Sequence, residues 1–253
     1  MLRAARRKRE LHPVRTEIDG FRVRIPRRDL SRYVEGFEPL TMAWTRDVVR
    51  PGMTVVDVGA ALGLFSLDLC RMVGPSGRVI AFEPAESNAK LLARNARRNG
   101  AIIELTQAAA SNEDGFAEFF LTDSSDSHAF YHHPLINPSR TVKVRTLRLD
   151  SVIENTDFIK VDVEGAEVEV LKGAGRLLRA HPPLVVEWVP SCQLAAGNKV
   201  SDLPALLNTL GYKLEVFDET SHVVTTVEAT LAAYERGDIP IHWYANICCL
   251  PAN

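Results

Sequence analysis

Three short stretches gather carboxylates and glycines where an apolar run gives way to a helix-like one. The first is Val55-Val56-Asp57-Val58-Gly59-Ala60-Ala61-Leu62-Gly63, an acid at the end of a β-branched run followed by small residues. Glycine lets backbone approach a ligand closely, and a helix N-terminus offers free N–H groups. The glycine spacing is Gly59-x-x-x-Gly63, not the G-x-G-x-x-G that seats a pyrophosphate on a helix N-terminus. Asp57 would repel that anion; it suits a ligand with a cationic amino group, such as the methionine part of S-adenosylmethionine.

The second element is Glu83, directly after the strand-like Arg78 to Phe82. An acid at that strand end can accept hydrogen bonds from both ribose hydroxyls. Pro84, Ala85 and Asn88 follow where an adenine would lie against the next helix. The third is Asp157-Phe158-Ile159-Lys160-Val161-Asp162-Val163-Glu164-Gly165-Ala166-Glu167, a buried strand ending in three carboxylates around a glycine. Ligands of open α/β sheets collect beyond the carboxyl ends of the strands, so Asp162 and Glu164 are expected in the same crevice as Asp57 and Glu83. Glu167 reads equally as a helix cap or a site residue. Lys160 and Glu187 lie on neighbouring buried strands, where pairing would relieve two isolated charges. His128, His132 and His133 sit in a polar loop that could reach a bound acceptor, while His12, His181, His222 and His242 carry no partner pattern.

Positioning these groups requires strands alternating with helices. Strand-like Met53 to Val58, Arg78 to Phe82 and Ile102 to Leu105 alternate with helical Leu62 to Val73 and Glu86 to Asn99. That rhythm implies a parallel sheet covered by helices on both faces. Phe158 to Val161, Leu184 to Val189, Tyr212 to Phe217 and Trp243 to Leu250 continue it, with helices at Val168 to Leu178 and Leu203 to Leu210. Phe116 to Leu121 and Val142 to Leu147 read as strands flanking a long polar loop, a length more often functional than idle. Ahead of them, residues 14 to 26 alternate around Asp19-Gly20 as a β-hairpin, and 38 to 49 are helical. The expectation is one domain over residues 1–253, with a tail and hairpin over 1–36 and a core over 37–250.

With 30 Lys+Arg against 32 Asp+Glu in 253 residues, the formal net charge of −2 supplies no field to gather phosphate backbones. Nucleic acid is therefore not the expected partner. The basic run Arg3, Arg6, Arg7, Lys8 and Arg9 precedes no apolar stretch of signal-peptide length, and no segment is long enough to span a bilayer. A cytoplasmic protein without stable membrane insertion is expected. Cys70, Cys192, Cys248 and Cys249 lack C-x-x-C spacing and read as reduced core residues.

Taken in order, VVDVGAALGLFS, FEP, QAAASNEDG, TLRLDS, DFIKVDVEGAEVEVLKGA and LVVEW resemble the FkbM-type methyltransferases over roughly residues 34 to 190. The resemblance implies a Rossmann-like class I methyltransferase fold, α/β with a seven-stranded, mostly parallel sheet. It implies S-adenosylmethionine as cofactor. Asp57, Gly59, Ala60 and Gly63 would border its methionine end, Glu83 its ribose, and Pro84, Asn88, Ala108 and Ala109 its adenine, with Glu38 reaching in from the N-terminal side. Asp162, Glu164 and Glu187 would line the acceptor pocket. Ala61-Leu62 departs from the Asn-Ile frequent in the family. The implied reaction is O-methylation of a sugar or polyketide-like hydroxyl, with Asp162 first as base, Glu164 second and a loop histidine such as His128 third. No metal is assigned. A Mg²⁺-dependent diol methyltransferase and a non-catalytic binder of the cofactor stay open beside it, as does the oligomeric state.

Overall fold

The computed structural model describes residues 12–33, 37–125, 127–131, 138–240 and 243–252. The basic run of residues 3 to 9, His132, His133 and His242 lie outside them. Near the N-terminus, β1 (Pro13–Ile18) and β2 (Phe21–Pro26) form the expected antiparallel hairpin. Its two turn residues, Asp19 and Gly20, both adopt positive φ (49° and 82°), the twist-matched geometry of a tight two-residue hairpin turn. A short 3₁₀ segment, Arg27–Tyr33, leads towards α1 (Pro39–Val48).

The core then alternates β3 (Thr54–Val58), α2 (Leu64–Val73), β4 (Arg78–Phe82), α3 (Glu86–Arg98) and β5 (Glu104–Thr106). A side branch follows, made of β6 (Ala109–Ala110), β7 (Gly115–Leu121) and β8 (Arg140–Leu147), which pair as a separate three-stranded sheet. After α4 (Leu149–Val152), the chain returns through β9 (Phe158–Val161), α5 (Glu167–Lys172), α6 (Gly175–Leu178) and β10 (Leu184–Trp188). It finishes with α7 (Pro190–Ala195), α8 (Asp202–Thr209), β11 (Tyr212–Asp218), β12 (Val223–Thr225), α9 (Val227–Glu235) and β13 (Ala245–Pro251).

Among the described residues the main sheet has eight strands in the order β12-β11-β13-β10-β9-β3-β4-β5. The pairs β10–β9, β9–β3, β3–β4 and β4–β5 are parallel, whereas β13 runs antiparallel to both β10 and β11. The expected seven-stranded, mostly parallel sheet is present, and β12 extends it at one edge. Its central strands are almost wholly buried, as covering by two helical layers demands. Among the described residues no helix is long and apolar enough to cross a membrane, and all four cysteines are free thiols.

The single helix expected over Val168 to Leu178 is two, α5 and α6. A Cβ on Gly173 would lie 1.9 Å from the Ser111 carbonyl oxygen, so the helix is interrupted where the start of the side branch crosses it. Helices α7 and α9 had no sequence expectation; α9 is announced only by Thr226, whose hydroxyl accepts from the Ala229 N–H as an N-cap.

Candidate active site

Strand register decides which acids meet. In the β3–β9 pair Asp57 lies beside Lys160, and in the β9–β10 pair Lys160 lies beside Val185. Side chains two residues apart on a strand share a face. Asp57, Lys160 and Asp162 therefore project to one side, and Glu187, two residues beyond Val185, stands next to Asp162. This corrects the expected Lys160–Glu187 pair. Lys160 Nζ instead donates to Asp162 Oδ2 at 2.8 Å and lies 3.8 Å from Asp57 Oδ1, with the Phe65 ring centroid 5.1 Å away. Burial by itself would lower the Lys160 ammonium, but Asp162, Asp57 and Glu38 together raise it.

At the tip of β3 the chain turns with Gly59 at φ 82°, where a Cβ would fall 1.6 Å from the Asp162 carbonyl oxygen. Only glycine lets the β3 and β9 tips come this close. Ala61 follows at φ 45°, and its N–H donates to Glu83 Oε2 at 2.9 Å while Ala85 N–H donates to Glu83 Oε1 at 2.7 Å. Glu83 is 4% exposed. Burial outweighs these hydrogen bonds and pushes its carboxyl up to about 8. A Cβ in the left-handed region costs about 1–2 kcal/mol, partly offset by the chain entropy of glycine. Ala61→Gly is accordingly expected to stabilise the protein by about 1 kcal/mol and raise Tm by about 2–4 °C in thermal unfolding.

Gly59, Glu83 and Asp162 open onto one cleft of about 560 Å³, mouth included. Pro84, Asn88, Ala108, Ala109, Glu164 and His128 also line it. The remaining candidates sit around it. Asp57 is fully buried, accepting from the Ser66 hydroxyl and facing Lys160, so it supports the β3 tip rather than lining the cleft. Ala60 is buried in the same turn, and Gly63 caps α2 against Leu92. Glu38, at φ 45° before α1, accepts from Asn246 Nδ2 at 3.2 Å. Burial first, then the charge of Asp162, raises its carboxyl to about 8 against the pull of Lys160.

The far wall comes from the side branch. Phe119 of β7 and Phe130 meet edge to face at 5.2 Å, and His128 stands edge-on to Phe119 with its Nδ1 accepting from Thr122 N–H at 3.1 Å. The described part of the polar loop thus reaches the cleft through Ser125, His128 and Phe130. It is held there by Asn88 Nδ2, which donates to the Ser125 carbonyl at 2.6 Å, and by Asp29, which accepts from Ser125 Oγ at 2.6 Å. Sequence reasoning missed Phe119, Phe130 and Asp29. The strand over 116 to 121 was legible, but which of its three phenylalanines turns inward was not.

Glu167 proves to be a brace. Its Oε1 accepts from Val163 and Gly165 N–H, and its Oε2 from Gln193 Nε2 at 2.6 Å, so it ties the β9–α5 turn to α7. Glu187 is different. Only 9% exposed, it has an Oε2 with no hydrogen-bond partner among the described residues, and burial with Asp162, Glu164 and Glu167 nearby raises its carboxyl well above the usual range.

Residues 57–214 match the family described as the methyltransferase FkbM domain. The chain is similar to methyltransferase sdnD of Sordaria araneosa, 30% identical over 177 residues covering 54% of this chain and 67% of that protein. Methyltransferase 1 of Beauveria bassiana (strain ARSEF 2860) is 28% identical over 143 residues, 47% of this chain and 57% of its own length. Among solved structures, Aeropyrum pernix fibrillarin with natively bound S-adenosyl-L-methionine superposes with a TM-score of 0.51 over 96% of this chain and 84% of its own. At 15% identity that likeness is one of fold alone.

Proposed function

Because this chain belongs to the FkbM methyltransferase family, we propose that it moves the methyl group of S-adenosylmethionine to a hydroxyl of a small molecule, a sugar or polyketide-like natural product. The observation that carries the reading is the convergence of Gly59, Glu83 and Asp162, from three adjacent strand tips, on one cleft walled by Ala108, Ala109 and Phe119. Each Glu83 oxygen accepts one backbone N–H, and the carboxyl retains acceptor capacity for a ribose hydroxyl. The small Ala108 and Ala109 side chains leave a slot for adenine beside the Phe119 and Phe130 rings. The bare backbone at Gly59 admits the methionine tail.

The cofactor supplies the electrophile, so the chain's work is positioning and proton removal. When bound, the cofactor would offer its methyl carbon to the acceptor oxygen, a C–O bond replacing the S–C bond, whose electron pair would stay on sulfur in S-adenosylhomocysteine. The hydroxyl proton goes to Asp162, which Lys160 holds at the β9 tip. Glu164 and Glu187 line the acceptor side, and His128 stands further along the cleft. A wall this rich in carboxylates opposes phosphate backbones, which favours a small acceptor over RNA.

The test is incubation with methyl-labelled S-adenosylmethionine and a panel of sugar, polyketide and ribosomal RNA acceptors, read by mass spectrometry. A labelled methyl ether on a small molecule supports the reading. Label only on RNA overturns its acceptor class, and calorimetric binding of S-adenosylhomocysteine with no methylated acceptor favours a binding protein.

Glu83 also makes a pH prediction. Its carboxyl lies near 8 in the folded chain against 4.5 unfolded. Its stability contribution is thus full below 4.5 and is lost as pH rises through about 8. Ribose hydroxyls donating to Glu83 favour the ionised form, so binding releases a proton below that pH. Affinity for S-adenosylhomocysteine is expected to rise between about pH 6.5 and 8.5, by up to about tenfold per unit, and Glu83→Gln should flatten the profile. Calorimetry in buffers of different ionisation enthalpy measures both.

A further inference from the structure

At the edge of the nucleoside cleft, three carboxylates from two chain segments meet: Asp162 and Glu164 in the turn just past β9, and Glu187 in β10. One oxygen from each lies within 4.8 Å of the other two. Acids crowd together on many surfaces without a ligand, but Glu187 is not on the surface. It is 9% exposed, its Oε2 has no hydrogen-bond partner among the described residues, and the strongest charges acting on it are those of other acids, Asp162, Glu164 and Glu167. Lys160, on the neighbouring strand, is committed to Asp162 and Asp57. A buried carboxylate oxygen facing only other carboxylates lacks a positive partner.

We propose that Asp162, Glu164 and Glu187 form a binding site for one hard divalent cation, of the Mg²⁺, Mn²⁺ or Ca²⁺ class, on the acceptor side of the cleft. The all-oxygen donor set selects that class over softer metals. Opposed ligands in such a sphere stand about twice the metal–oxygen distance apart, roughly 4.2 Å for Mg²⁺ and 4.8 Å for Ca²⁺. The observed grouping, within 4.8 Å, falls inside the Ca²⁺ span. Three protein oxygens leave coordination positions for water and for an acceptor hydroxyl, so the site orients an acceptor carrying neighbouring oxygens. The cation also makes that hydroxyl easier to deprotonate. This deepens the methyltransferase reading and rests on it for the acceptor's role, though not for the site itself.

The rival occupant is a proton shared between Glu187 and Asp162. The experiment titrates the full chain with Mn²⁺, followed by electron paramagnetic resonance with and without S-adenosylhomocysteine, while calorimetry follows the nucleoside in the same preparation. One bound Mn²⁺ per chain, displaced by Mg²⁺ or Ca²⁺ and weakened at least tenfold in both Glu187→Gln and Glu164→Gln, supports the site. Circular dichroism checks that each variant is folded, and where only one folds, its tenfold loss decides. Nucleoside binding without bound Mn²⁺, or Mn²⁺ binding undiminished by either substitution, overturns the site and leaves the methyltransferase reading intact. Failure to bind the nucleoside overturns that reading, whatever the Mn²⁺ titration gives.

Discussion

Asp162→Asn is expected to lower turnover by about 100-fold or more, the usual contribution of a positioned general base, while affinity for S-adenosylhomocysteine changes by no more than a few-fold. The substitution is nearly isosteric. Asparagine keeps a carbonyl oxygen to accept from Lys160 Nζ, and the backbone that fixes the β9 tip is untouched, with Asp162 N–H donating to the Val58 carbonyl at 3.0 Å. The Gly59 contact is with the Asp162 main chain, so the wall of the nucleoside cleft also survives. What is lost is an anion able to take the hydroxyl proton. Single-turnover rates with saturating cofactor, alongside calorimetry, separate the two effects. Full turnover in this variant would move proton removal to Glu164 or Glu187, and a matching loss of nucleoside affinity would make Asp162 a binding residue.

Why Asp162 and Glu83 were legible in the sequence, and Lys160's partner was not, has a physical basis. A residue just past a buried parallel strand has little choice of destination, because the carboxyl ends of neighbouring strands open onto the same crevice. Gly59 was legible for a related reason: a glycine at a strand tip marks a close approach, here to Asp162 of the adjacent strand. Lys160 lies inside a strand, where the partner depends on register, and a shift of one residue would have sent its side chain to the other face. Register is set by the packing of the whole sheet. It therefore gave Lys160 to Asp57 and Asp162 and left Glu187 among acids.

The cleft's outer wall was hidden for a second reason. Phe119 is buried while Phe116 on the same strand is 67% exposed, a difference decided by how the side-branch sheet lies over the nucleoside cleft. Nothing local in FAEFFL encodes it. Asp29 is the extreme case, since it acts on the site through Ser125, almost a hundred positions along the chain. Glu167 could have been read either way from sequence; three donors on its two oxygens make it a brace.

Lys160→Met should cost about 3–5 kcal/mol of stability, the range for removing one partner of a buried ion pair. Lys160 is 2% exposed and Asp57 fully buried, so solvent cannot replace the lost ammonium. Methionine fills much of the space beside Phe65, which confines the effect to charge. Asp57 would keep only the Ser66 hydroxyl, and Asp162 would lose its ion pair next to Glu187. The sign of the pH dependence follows. Burial already raises the folded-state carboxyl of Asp57, and without Lys160, which opposes the shift, it rises further. A folded pKa above the unfolded value gives stability that is present at low pH and lost as pH climbs. The penalty in the variant should thus be larger at pH 8 than at pH 5, as measured by urea unfolding at both. Adding Asp57→Asn removes the stranded charge, and the double variant should recover part of the loss at pH 8. A penalty below about 1 kcal/mol, the level of an exposed pair, would mean that Asp57 and Asp162 do not depend on Lys160 for neutralisation.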